Sequence, residues 1–231
     1  MKSYQQRVAR AGGFSIFELM IAMTITLILM GLASTLLAKS FNIRARENQR
    51  SAAVADAQRG LNMMTREIAT SGFGLTNNGI VEGDSTSNSI RVRANLNAGS
   101  AETTSNSVAD RDEDVKYLLY TESGASYIVR LDVNTSAQEM ILANRVDTLT
   151  IKYFADKVSY TSENCDITNV VNAGGSAASE VTSKSAAKYI VVSLCVKLPA
   201  IGVADTEGYQ PVSRVQLVSD VSLRNSDLVN Y

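Results

Sequence analysis

The sequence predicts an α+β protein in which one long N-terminal helix packs on an antiparallel β-sheet domain. Residues 14–38 form an apolar run that carries one charge, Glu18. Residues 39–71 contain no proline and repeat apolar residues at helical spacing. Residues 115–223 contain short apolar segments, several alternating with polar residues, between glycine- and serine-rich stretches, which is typical of strands and loops. The 231 residues suffice for one medium domain and an anchor.

The composition argues against several classes of function. The chain has no histidine, which is the commonest general base and metal ligand, and its net charge is −1. Residues 75–231 show no nucleophile–base pairing and no metal-ligand spacing. We therefore predict no enzymatic activity, no metal and no cofactor, and nothing in the charge indicates a nucleic-acid partner.

The apolar run of residues 14–38 is long enough to cross a membrane. As a helix it measures about 37 Å, against about 30 Å for a hydrocarbon core. A buried helix of a soluble protein is the alternative. A secretory signal has its small residues after the apolar region, whereas here residues 11–13 precede it. A cut after Gly13 removes the basic leader, residues 1–13, and keeps the apolar helix.

The segment Gly13-Phe14-Ser15-Ile16-Phe17-Glu18-Leu19 resembles the class III signal of type IV prepilins and pseudopilins. The resemblance implies a pilin fold and cleavage after Gly13 by a prepilin peptidase on the cytoplasmic face. The same enzyme then methylates the new N-terminus, Phe14. Further implied partners are the major pilin, other minor pilins, an inner-membrane assembly platform and, before assembly, membrane lipid.

The resemblance also implies a location. The subunit sits in the bacterial inner membrane with its domain outside the cytoplasm, and reaches a pilus on the cell surface after assembly. Basic residues flank the apolar run on both sides, so the positive-inside rule does not decide the orientation.

Glu18 needs a partner if it enters a membrane. A carboxylate at the centre of a membrane helix costs about 2.5–3.5 kcal/mol on insertion scales. After cleavage the amine of Phe14 lies four residues back, and a helix N-terminus favours negative charge. In type IV prepilins and pseudopilins, which the N-terminal segment resembles, the glutamate at this position meets the N-terminal amine of a neighbouring subunit during assembly. Snorkelling to the interface and capping of its own helix are the alternatives.

The second half of the helix, residues 39–72, is predicted to be an amphipathic continuation. Its apolar residues follow the spacing 3, 4, 3, 4: Val54, Ala57, Leu61, Met64 and Ile68. Fewer than three heptads are present, so packing on a sheet is favoured over a coiled coil. Glycines in residues 71–74 end a helix that begins near Ser15.

The remaining residues, 73–231, are predicted to form a globular antiparallel β domain of about five to seven strands. Long loops are expected at 75–109, around a short strand at 90–94, and at 162–187. The acidic segment 110–114 indicates a solvated turn rather than a calcium site. Further strands are predicted at 115–120, 126–131 (joined by a loop at 121–125), 140–143, 146–154, 188–198 and 212–223. The inward residues of 146–154 are predicted to be Val146, Leu149, Ile151 and Tyr153, after an adjustment near Thr148.

The two cysteines, Cys165 and Cys195, predict one disulfide in an oxidising compartment, with two free buried thiols as the alternative. Alternation in 188–198 puts Cys195 on the less apolar face of its strand. A disulfide there would tether the loop at 162–187 across the outer side of the sheet, and closing about 30 residues stabilises a fold by about 3–4 kcal/mol.

Three short stretches are similar to the minor pilins of the PilW type: residues 61–73, 146–153 and 221–225. The helix lacks the proline that many major pilins have, which weighs against a major subunit. The resemblance implies a structural minor pilin that enters or primes a type IV pilus. Cell adhesion or motility, DNA uptake and secretion are all uses of such filaments, and the sequence does not distinguish between them. The alternatives are a minor pseudopilin of a type II secretion system and, from a different class, a single-span membrane-anchored extracytoplasmic binding protein.

Overall fold

The computed structural model describes residues 13–97, 108–135 and 137–225. One uninterrupted helix, α1, spans Ile16–Thr70 and confirms the predicted long helix. It begins at Ser15, whose Oγ accepts a hydrogen bond from the Phe17 N–H at 3.3 Å. It ends at Ser71, whose N–H donates to the Ile68 carbonyl, and Gly72 follows at φ 81°, a left-handed conformation suited to glycine.

In the described part of the chain, nine strands form three antiparallel sheets. The first four pair in chain order: β1 (Ser89–Arg93), β2 (Asp114–Glu122), β3 (Ala125–Asp132) and β4 (Ala137–Asn144). The second sheet has the order β5 (Val146–Phe154), β8 (Tyr189–Leu198) and β9 (Ser213–Ser222), and the third is the hairpin β6 (Val158–Glu163) with β7 (Asp166–Asn172). Two 3₁₀ turns lie at Glu82–Asp84 and Lys184–Ala186. The α+β class is confirmed, whereas the expected five to seven strands were too few.

The second half of α1 packs against both larger sheets. Ala57, Leu61, Met64 and Ile68 are buried, as the spacing predicts. Val54 is only half-buried, and Ala53 and Gly60 lie in the interface instead. These small residues let the sheets approach the helix backbone closely. Strand residues of the same core include Ile90, Tyr117, Ile128, Ile151, Ile190 and Leu194.

Several strand predictions are confirmed in detail. β5 has the predicted bounds and inward set, and its register shifts between Val146 and Thr148, where an adjustment was predicted. The β2–β3 hairpin pairs up to Glu122 and Ala125, so its connection is shorter than the predicted five residues. Ser123 and Gly124 have φ of 51° and 78°, which suits a tight two-residue hairpin turn.

The acidic segment 110–114 is solvated only in its first part. Residues 110–112 are exposed and form a turn, as predicted, whereas Glu113 and Asp114 are only 2% and 3% exposed. Asp114 accepts from Arg91 Nε at 2.7 Å and from Arg93 Nε at 2.8 Å, and Glu113 accepts from the backbone N–H of Leu96 at 2.8 Å. The prediction was wrong for Glu113 and Asp114. The arginines that bind Asp114 come from β1, more than twenty residues away in the chain.

The segment 162–187 is not one long loop. It contains β7, and the β6–β7 hairpin covers the outer face of the β5–β8–β9 sheet. A second apolar cluster fills the space between them: Phe154, Val158, Ile167, Tyr189 and Val191. Both faces of β8 are therefore buried. The hairpin strands are mostly polar, so their pattern resembled a loop in the sequence.

Cys165 and Cys195 form a disulfide in the structure, with their Cα atoms 5.5 Å apart. Cys165 lies in the hairpin turn, where Asn164 and Cys165 have φ of 51° and 68°. Cys195 is fully buried on β8. The disulfide therefore ties the tip of a β-hairpin, rather than a loop, to the central strand of the second sheet.

Candidate assembly and anchoring surface

The first half of α1 projects beyond the domain with its apolar side chains uncovered. Every residue from 13 to 41 is exposed, including Phe14 at 81%. This helix is long and apolar enough to cross a membrane, and none of its most apolar window is buried against the protein. Packing within the described residues therefore does not support the core helix of a soluble protein. A continuous apolar surface of this size requires lipid or other protein surfaces to cover it.

Glu18 is in the first turn of α1, where a negative charge suits the helix N-terminus. Among residues 13–97, 108–135 and 137–225, no side chain or backbone group hydrogen-bonds or pairs with its carboxylate. Phe14 precedes the N-cap and is therefore outside the helix. It does not lie one helical turn before Glu18 on the same helical face, where the sequence placed its amine. An assembly role for Glu18 stays a prediction.

The capping role of Ser15 was not predicted from the sequence. Ser15 and Glu18 have the spacing S-x-x-E of a capping box, and Phe14 and Leu19 hold the two apolar positions of a hydrophobic staple. The structure contains an ordinary N-cap bond instead of the box: the backbone N–H of Phe17, the second helical residue, donates to Ser15 Oγ at 3.3 Å. The N-terminal end of α1 therefore has a capped first turn that contains one acidic side chain, Glu18.

A buried arginine fixes the helix to the domain where the apolar run has ended. Arg46 is 8% exposed, and its guanidinium donates to the carbonyls of Pro199 and Pro211 and to Ser213 Oγ at 2.7 Å. These are the only two prolines in the chain. Sequence reasoning missed Arg46 because a single arginine in a helix carries no signal of partners about 150 residues away.

The segment of residues 199–212, which Arg46 clamps at both ends, lies against α1. Within it, Ile201 and Gln210 exchange backbone hydrogen bonds of 2.9 Å that close a loop of residues 201–210. Gly208 has φ 83°, and a Cβ there would lie 3.0 Å from the Lys39 Cα. The domain therefore reaches along the helix as far as Lys39, directly after the apolar run.

A polar network fixes the other end of the helix. Glu67 accepts from the Tyr117 hydroxyl at 2.6 Å and from Arg130 Nε at 3.1 Å, and Arg130 also donates to Asp112 at 2.6 Å. Burial, and then the charge of Glu67, raises the pKa of Tyr117 well above its ordinary value. α1 is thus held at two levels by polar contacts, with the apolar interface between them.

The described residues contain no group of three or more His, Cys, Asp or Glu side chains placed to hold a metal ion. In the acidic segment, Asp112 and Asp114 accept hydrogen bonds from arginines, Glu113 accepts from backbone N–H groups, and Asp110 accepts from the Asn97 amide. The candidate functional features are therefore the uncovered apolar half of α1 and the polar contacts that fix its second half to the domain.

Residues 9–34 match a family model described as the prokaryotic N-terminal methylation motif. No curated protein sequence matches the chain. Among solved structures, a type IV-like pilin from Thermus thermophilus is similar, with a TM-score of 0.42 and 12% identity over 75% of this chain and 97% of that chain. Similarity at that level assigns neither fold nor function.

The match shows which kind of N-terminal segment the chain has. It is a prokaryotic N-terminal methylation motif, and Gly13, Phe14 and Glu18 all lie inside it. Gly13 and Phe14 are exposed and precede the helix, as a processing site requires. Leader residues 1–12 lie outside the described part of the chain.

Proposed function

We propose that this protein is a structural minor pilin of a type IV pilus, similar to the PilW type. It is cut between Gly13 and Phe14, and Phe14 is N-methylated. One observation carries the proposal: the methylation motif leads directly into a helix half that is apolar and uncovered. A cut at Gly13 leaves that helix on the mature subunit.

The two halves of α1 have different tasks in this proposal. The second half is fixed to the domain by the apolar interface, by Arg46 and by Glu67. The first half is free to be covered first by lipid and then by the equivalent helices of neighbouring subunits. Burying apolar surface stabilises either state by about 25 cal/mol per Å².

Glu18 selects between these two environments. In lipid its carboxylate is unfavourable by about 2.5–3.5 kcal/mol if it reaches the bilayer centre. In a filament it pairs with the free amine of Phe14 on a neighbouring subunit, which removes two unpaired charges at once. Extraction from the membrane is thereby coupled to correct stacking.

The proposal fixes the partners and location. The subunit is processed by a prepilin peptidase/methyltransferase at the inner membrane. It then joins the major pilin and other minor pilins through the assembly platform, and it has no enzymatic role.

Mass spectrometry of the protein from its native membrane tests the processing step. We expect a mature chain that begins with N-methylated Phe14. An intact Met1, or a cut beyond residue 30, would contradict the proposal. An intact Met1 would instead favour an unprocessed, single-span anchored binding protein.

Shearing of surface filaments tests the choice between a pilus and a type II secretion pseudopilus. We expect the mature chain in sheared pili at far lower abundance than the major subunit. Its absence from them, together with a secretion defect in a deletion strain, would identify a pseudopilin instead.

A further inference from the structure

We propose that the loop of residues 201–210 is a membrane-docking element, which rests on the bilayer surface when the subunit is anchored. The inference depends on the anchoring of residues 14–38 in the proposed function. It adds a second contact between the protein and lipid, made by the globular domain.

The position of the loop along α1 supports this contact. Residues 14–38 measure about 37 Å as a helix, slightly more than the hydrocarbon core of about 30 Å. Lys39 therefore lies at the level of the lipid headgroups on the domain side. Gly208 packs within contact distance of the Lys39 backbone, and Gly202 lies close to the Asn42 side chain. The loop consequently occupies the same layer.

The side chains of the loop suit an interfacial position. Val203 is 70% exposed, which is high for a large apolar residue outside the anchor, and Val212 beside the loop is also exposed. Tyr209 is half-buried, and tyrosine is enriched at membrane–water interfaces because its ring is amphipathic. Asp205 and Glu207 are exposed and acidic, so they keep the contact shallow and favour zwitterionic over anionic lipid.

The loop is fixed in that layer. Arg46 binds the carbonyls of Pro199 and Pro211, and backbone bonds between Ile201 and Gln210 close the loop above them. A loop held at both ends does not fold back onto the domain to cover Val203. The bilayer surface is the apolar surface next to it in the anchored state.

Tryptophan fluorescence tests the contact, because the protein has no tryptophan of its own. The full chain with Val203→Trp is reconstituted into phosphatidylcholine vesicles, with and without bromine on the lipid acyl chains. We expect a blue-shifted emission that brominated lipid quenches. Val203 is exposed, so the substitution leaves the core unchanged.

Two further single-tryptophan variants serve as controls. Leu29→Trp reports the anchor itself, and Phe73→Trp reports the far end of α1, where Thr70 is about 46 Å beyond Lys39 along the helix axis. Quenching of Leu29→Trp and Val203→Trp, but not of Phe73→Trp, supports the inference.

The remaining outcomes overturn it in distinguishable ways. Quenching of Leu29→Trp alone means that the anchor is correct and the loop stays in water. No quenching of Leu29→Trp refutes the anchor and with it the proposed function. Equal quenching of Val203→Trp and Phe73→Trp means that the whole domain lies on the membrane without a specific loop.

A second variant checks that docking depends on the apolar side chain. Val212→Trp, beside the loop, is measured alone and combined with Val203→Asp. We expect the added carboxylate to reduce the quenching of the Val212→Trp emission. Unchanged quenching in the double variant contradicts a contact made by the loop.

Discussion

Removal of the disulfide through Cys165→Ser should lower the free energy of unfolding of the domain by about 3.6 kcal/mol. The disulfide joins residues 30 apart in sequence. The chain-entropy relation for a loop of that size gives about 12 cal/mol/K, or about 3.6 kcal/mol at 25 °C. Cys165 is the better position to change, because Cys195 is fully buried and its replacement would also alter core packing.

Urea unfolding of the full chain in detergent micelles, followed by near-ultraviolet circular dichroism of the tyrosines, measures this loss. Reduction of the wild type by dithiothreitol should produce the same loss and should leave Cys165→Ser unchanged. A loss below about 1 kcal/mol in both experiments would refute the reasoning. The hairpin would then be held by its apolar cluster alone.

Cys165→Gly provides a matched comparison, because Cys165 has φ 68°. A non-glycine residue in the left-handed region is disfavoured by about 1–2 kcal/mol, and glycine avoids this. After the larger entropy of glycine in the unfolded chain, Cys165→Gly should be more stable than Cys165→Ser by roughly 1 kcal/mol. Equal stability would mean that the turn relaxes when the disulfide is absent.

Three further perturbations test the helix and its junctions. Glu18→Ala should leave cleavage and membrane insertion intact but lower the amount of the subunit in sheared filaments, with Glu18→Asp as the control; normal incorporation of Glu18→Ala would contradict an assembly role. Arg46→Met should cost about 3 kcal/mol in urea unfolding, because two prolyl carbonyls lose a charged donor, and an unchanged midpoint would argue against a clamp. The pKa of Tyr117 is raised in the folded state, so its contribution to stability is present below about pH 10 and is lost as pH rises above that value. Unfolding measured from pH 8 upward should show this decline, and Tyr117→Phe should make it shallower; an equal decline in both would assign it to other groups.

The features that local periodicity determines could be predicted from the sequence. The stripe of Ala57, Leu61, Met64 and Ile68 needs only a helix of 3.6 residues per turn, and the inward set of β5 needs only the alternation of a strand. The helix end at residues 71–74 follows from glycine conformation. These features depend on neighbours close in the chain, so the sequence shows them directly.

The features that depend on distant partners could not be predicted. Asp114 resembles a surface acid until β1 brings Arg91 and Arg93 to it. Arg46 gains its partners only when the segment before β9 crosses the helix. The polar strands of the β6–β7 hairpin do not alternate, because only Val158 and Ile167 are buried in them.

At the candidate site, the sequence predicts the motif but only part of its local geometry. The type and spacing of Gly13, Phe14 and Glu18 predict processing and assembly roles, which stay predictions, and the matched motif covers all three residues. The N-cap at Ser15 was present in the same residues as an S-x-x-E signature and was missed.

The disulfide also sets a mechanical property of the domain. Cys165 and Cys195 are 30 positions apart in the sequence, which corresponds to about 100 Å of contour length at about 3.3 Å per position. A pulling force on the ends of the chain cannot extend that portion while the bond is intact. The maximum extension of a subunit under tension would therefore be about 100 Å shorter when the disulfide is intact than when it is reduced. While it is intact, β7 and most of β8 carry none of the pulling force.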